Sequence, residues 1–137
     1  MMNIGKIQDI ERKLQYSFNN KKLLEQAFTH SSYGKQESVE YNERMEFFGD
    51  AILGYITSER LFDNFVNSSE GSLSAMRAGL VSAESLSKIV VKLDLVQYLQ
   101  MVNGMFAERK RASYTRWLIS SSLSPGSMSM TGISTIV

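Results

Sequence analysis

Asn42-Glu43-Arg44-Met45-Glu46-Phe47-Phe48-Gly49-Asp50 sets three carboxylates at i, i+3 and i+7 inside an otherwise apolar run. At 3.6 residues per turn these positions fall on one side of a helix. Met45, Phe48, Ile52, Tyr55, Ile56, Leu61, Phe62 and Phe65 continue the helical spacing, so residues 40–65 are predicted to form one long, central, largely buried helix. Acids stacked along it repel each other by roughly 0.2–0.5 kcal/mol per pair. They need either plain solvation or a divalent cation.

Outward from this segment the chain keeps a helical period. Ile4, Ile7, Ile10 and Leu14 predict a first helix. Leu23, Leu24, Ala27 and Phe28 predict a second over 21–29, entered through Asn19-Asn20. The polar stretch 30–40, with Gly34, reads as a loop. Beyond the long helix, 67–72 reads as a turn, with Ser72 capping a helix over 73–81 and Ser82 capping another over 83–93. Residues 95–102 form a short apolar piece of undetermined type. No segment sustains period-two alternation, and the single proline, Pro125, stands late in the chain. The fold class is all-α.

Bulk properties narrow the function. The chain has 137 residues, enough for one core, with 43% hydrophobic and 21% charged residues and a net charge of +1. Overall charge therefore does not mark a nucleic-acid binder, although a local patch can. There is no cysteine and one histidine, His30, which removes disulfides, thiolate metal sites and a histidine-rich zinc site. A metal would be held by oxygen, which points to Mg2+, with Mn2+ as the alternative. No apolar run reaches the roughly 18–20 residues of a membrane span, and the N-terminus lacks a signal peptide's apolar stretch. These features predict a cytoplasmic protein with no membrane association.

Glu46 and Asp50, one turn apart, have the spacing to share a hard cation whose remaining positions go to water and phosphate oxygens. Glu43 lies a turn earlier, and Glu70 follows in the next turn, from which the chain can fold back. Four such acids suit metal-assisted phosphodiester hydrolysis. The plainer alternative is a solvated acidic face with Arg44 and Arg60 as partners. Against it, Glu46 and Asp50 are interleaved with Met45, Phe47, Phe48, Ala51 and Ile52, where desolvation is costly unless compensated. Gly49 either lets a backbone or ligand approach closely or is simply tolerated. His30 reads as a structural residue at the C-terminal end of a helix, where a cation or donor meets free carbonyls, or as a general base. Lys21-Lys22, Lys35 and Arg109-Lys110-Arg111 are candidate phosphate contacts.

The run 42–51 resembles the ribonuclease III family, whose nuclease domain carries a near-identical Asn-Glu-Arg-Leu-Glu-Phe-Leu-Gly-Asp stretch. Tyr16-Ser17-Phe18, Leu23 to Tyr33 with its Thr29-His30-Ser31-Ser32 turn, and Glu70 to Ser82 resemble flanking family elements in the right order, across about residues 8–100. The resemblance implies an all-helical endonuclease domain acting as a homodimer on double-stranded RNA, with one magnesium centre per subunit. Carried over by position, Glu46 and Asp50 match metal-binding acids, and Asp50 a catalytic one. Glu43 and Glu70 match supporting acids. Phe47 matches the aromatic that plugs into the partner subunit.

The chain departs from that pattern after residue 112. The family's next block, of the type Ala-Asp-x-x-Glu, supplies two more acids. Here Arg111-Ala112-Ser113 leads into Tyr114-Thr115-Arg116-Trp117-Leu118-Ile119, and 113–137 contains no acid at all. Residues 1–112 are therefore expected to form a truncated nuclease domain. Residues 113–137, rich in serine, methionine and threonine, are expected to be a disordered tail that follows a shifted or disrupted reading frame. Truncation is expected to uncover Leu95, Val96, Leu99 and Phe106. The alternative function is a catalytically dead RNA-binding or assembly module, or a gene remnant, of the same fold.

Overall fold

A computed structural model describes residues 2–102. Six helices follow in order: α1 (Ile4–Leu14), α2 (Lys21–Ala27), α3 (Ser31–Glu37), α4 (Glu43–Asn64), α5 (Glu70–Leu80) and α6 (Ala83–Lys92), then a 3-10 turn, Val96–Tyr98. The all-α reading holds. Among the described residues the only extended pairing is an isolated bridge between Thr29 and Gln100. No described helix is long and apolar enough to cross a membrane. The tail 113–137, Phe106 and the 109–111 basic cluster lie outside the described residues.

Side-chain caps define most helix starts. Asn3 Oδ1 accepts from the Lys6 amide at 2.9 Å, and Asn20 Oδ1 from Lys22 at 3.1 Å. Ser82 Oγ accepts from Ser85 at 3.2 Å, as its position predicts. For α5 the cap is Ser69, not Ser72. Ser69 Oγ accepts from the Ser72 amide at 3.2 Å, so the helix begins at Glu70, three residues earlier than expected. Glu70-Gly71 looks like turn sequence, yet a first-turn acid meets the free amides of a helix start favourably.

Two further expectations are corrected. Residues 31–37 are not loop but helix α3. Gly34 marks a close approach there: a Cβ on it would stand 2.6 Å from Tyr41 Cδ1. His30 lies at the N-terminal end of α3, not at the C-terminal end of a helix. Its Nδ1 accepts from the Ser32 amide at 3.1 Å and lies 2.8 Å from Ser32 Oγ.

Ile10, Leu14, Phe18, Leu24, Phe28, Leu53, Ile56, Leu86, Val90 and Leu95 form the core. Burial of each such side chain contributes roughly 1.5–3 kcal/mol. Leu95, expected to be uncovered, is buried, and Val96 and Leu99 pack against the core at its edge. The 95–100 segment folds back for a hydrogen-bonding reason. Gln100 donates its amide to Phe28 O at 2.9 Å and accepts from the His30 amide at 3.0 Å. Tyr98 Oη donates to Asp9 at 2.9 Å, which ties the same segment to α1.

Candidate functional site

Helix α4 carries the site and has two apolar sides rather than one. Met45, Gly49, Leu53, Ile56, Thr57 and Leu61 face inward. Phe47, Phe48, Tyr55 and Phe62 face out, with Phe47 83% exposed. The predicted, largely buried helix is therefore half right. The spacing places both sets on helical stripes, but only one stripe meets the core.

Beside this stripe, Glu43, Glu46 and Asp50 line one shallow groove with Phe47 and Ala51. The helix places them there by its period, as the spacing requires. Glu43 and Asp50 are exposed and Glu46 half-buried, so the acids border solvent rather than lie inside the core. Glu43 and Phe47 form a ridge. On its other side lies a larger groove of about 1170 Å³ between α2, the 38–41 turn and α4, walled by Leu23, Val39, Tyr41, Met45 and Phe48.

Glu70 is not brought to the other three. It lines a separate depression between α4 and α5 with Ser58, Leu61, Phe62, Leu73, Ser74 and Arg77, and its Oε1 accepts from Ser74 Oγ at 2.8 Å. The reason is the length of α4. Ser58 is eight residues past Asp50, about 12 Å along the axis. Helix α5 starts beyond the end of α4 and runs back along it, with Arg77 Nη1 donating to Ser58 Oγ at 2.9 Å. Its first turn therefore sits at the far end. Among the described residues, no three His, Cys, Asp or Glu side chains come together closely enough to hold a metal ion. The expected four-acid cluster is thus reduced to acids lying side by side on one helix.

The proposed phosphate-binding lysines are partly engaged elsewhere. Lys21 pairs with Glu11, and Lys35 Nζ lies 5.7 Å from the Tyr41 ring centroid.

One residue went unnoticed in the sequence. Asn42 stands where a cap for the acidic helix would, yet it is fully buried and makes no capping bond. Its Nδ2 donates instead to the Ala27 carbonyl at 3.2 Å. No local signal distinguishes that use of asparagine from capping.

A family model described as ribonuclease-III-like matches residues 20–124. The chain belongs to the ribonuclease III family. A ribonuclease 3 of Clostridium botulinum (strain Eklund 17B / Type B) is 44% identical over 104 residues, 75% of this chain and 45% of that relative. A ribonuclease 3 of Nitratiruptor is 46% identical over 93 residues, 68% of this chain and 40% of the relative. This ribonuclease III family chain therefore spans less than half the length of the curated relatives it matches. Among solved structures, a nuclease domain of ribonuclease III from Campylobacter jejuni superposes with a TM-score of 0.79 at 33% identity, covering 95% of this chain and 92% of that one. That structure was described for flexibility in a region of dimer formation. A second structure of the same nuclease domain gives 0.78 at 34% identity. The all-helical ribonuclease III nuclease fold is thus shared over most of the chain.

Proposed function

We propose that this chain is the nuclease domain of a cytoplasmic, magnesium-dependent endoribonuclease that cuts double-stranded RNA as a homodimer. The observation that carries the reading is the groove of Glu43, Glu46 and Asp50 on α4, next to the exposed Phe47, in a member of the ribonuclease III family. Glu46 and Asp50 would hold the ion, Mg2+ or in its place Mn2+, with Glu43 in support. Their chemistry fits a hard cation: two carboxylates one turn apart, open to the water needed to complete six-coordination. Bound there, the ion supplies Lewis-acid charge for phosphodiester hydrolysis. Asp50 is the catalytic acid by family position. Glu70 is assigned a supporting role by family position alone, since it lines a different depression.

Phe47 and its aromatic neighbours supply the apolar seam of the dimer. A two-fold axis through that seam sets two acidic grooves side by side. Duplex RNA is then read by its shape and 2′-hydroxyls rather than by base sequence.

A second reading is favoured by one observation: among the described residues no three acids come together closely enough to hold a metal ion, and no acid occurs in 113–137. Two protein carboxylates give weak magnesium affinity and slow cleavage, leaving an RNA-binding or assembly module. A cleavage assay on purified, folded protein with labelled duplex RNA separates the readings. Magnesium-dependent products lost in Asp50→Asn support the enzyme. Duplex binding without products supports the module.

A further inference from the structure

Asn42 stands directly before α4, where an asparagine ordinarily accepts a bond from one of the helix's first amides. Here its side chain turns away from the helix. The carboxamide is fully buried, and Nδ2 donates to the carbonyl of Ala27, the last residue of α2, at 3.2 Å. The backbone amide of Asn42 donates to Thr29 O at 3.2 Å, and its carbonyl accepts from the Glu46 amide at 2.9 Å. One residue therefore grips two carbonyls at the end of α2 and passes that anchorage directly to Glu46. The anchor is itself held, because Gln100 bonds Phe28 and His30 on either side of Thr29. Asn42 Oδ1 has no partner among the described residues, so only this orientation of the amide satisfies Ala27.

We propose that Asn42 is a positioning residue for the Glu46–Asp50 pair: its buried brace to Ala27, rather than a helix cap, sets the rotation and axial position of the first turns of α4. At 3.6 residues per turn, a slip of one residue would swing both carboxylates about a quarter-turn out of their groove. No side-chain cap holds this helix entrance, so the brace fixes it together with the Asn42 amide bond to Thr29 and the bond from Gln26 Nε2 to the Tyr41 carbonyl at 3.0 Å. The inference rests on the metal-binding reading of the pair.

The test uses the full chain and a Mn2+ titration followed by water-proton relaxation, with thermal unfolding recorded in parallel. Asn42→Ser and Asn42→Asp are both good helix caps, but the first is too short to reach Ala27 and the second has no donor for it. Asn42→Gln keeps a donor on a longer arm and serves if the other two do not fold. Leu86→Ala, in the buried part of α6, reports the effect of lost stability alone. The expected result is Mn2+ affinity weakened roughly tenfold in the Ser and Asp variants, as for loss of a group that orients metal ligands, and several-fold in the Gln variant. Leu86→Ala should keep wild-type affinity while melting lower. Unchanged affinity in the folded Asn42 variants overturns the inference. So does an equal loss in Leu86→Ala. A wild-type chain that binds no Mn2+ overturns the metal reading first and this inference with it, so the two failures are distinguishable.

Discussion

Gly34 and Tyr41 are packed so tightly that a Cβ added to the glycine would stand 2.6 Å from Tyr41 Cδ1 and 2.7 Å from Tyr41 Cβ. The second of these atoms is fixed to the backbone, so no rotamer change relieves the clash. Because Tyr41 immediately precedes Asn42, the contact also sets the chain's approach to the acidic helix. Gly34→Ala is expected to cost about 1–3 kcal/mol, the usual penalty of overpacking. Urea denaturation checks this, and because the two residues touch, Gly34→Ala and Tyr41→Ala should be non-additive in a double-mutant cycle. A single variant as stable as wild type would mean that the two residues are not packed as described.

Glu11 makes stability depend on acid. Burial alone would raise its carboxyl pKa. The Lys21 ammonium, the Phe18 amide at 2.6 Å and the Ser17 hydroxyl outweigh that, and the folded-state value lies below the ordinary one. A group depressed in the folded state contributes stability above its unfolded pKa, and the contribution is lost as pH falls through the folded value. Wild type should therefore exceed Glu11→Gln in stability at neutral pH, and the gap should close on acidification. Denaturation midpoints measured from neutral to acidic pH test it. A gap that stays constant would show that Glu11 acts by packing rather than charge.

Phe47 lies outside the core, so its removal should separate association from folding. Phe47→Ala is expected to leave the melting temperature nearly unchanged while weakening self-association by about 2 kcal/mol or more, as for a buried aromatic anchor. Sedimentation over a micromolar concentration series measures both states. A wild-type chain that stays monomeric throughout would remove the dimer from the proposal.

How far the sequence could be read depended on whether local pattern or distant contact decided each feature. The 3.6-residue period placed α1, α2, α4 and α6 because each buries its own stripe. It missed α3, whose Ser31, Ser32, Lys35 and Gln36 carry no apolar stripe and whose Gly34 answers to Tyr41 rather than to a turn. The shared face of Glu43, Glu46 and Asp50 needed only helix geometry. The position of Glu70 needed the path of α5 along α4, which no local spacing encodes. Likewise, the brace from Asn42 to Ala27 spans 15 residues, whereas a cap would have been local.

Glu46 and Asp50 are proposed to grip one cation from the first turns of α4. Mn2+ binding to the folded wild-type chain, measured beside Asp50→Asn and Glu46→Gln, tests it most directly. The expected result is one ion per wild-type chain in the millimolar range, with affinity falling about tenfold or more in each variant. No binding by folded wild-type protein at millimolar Mn2+, or equal binding by all three, would contradict it.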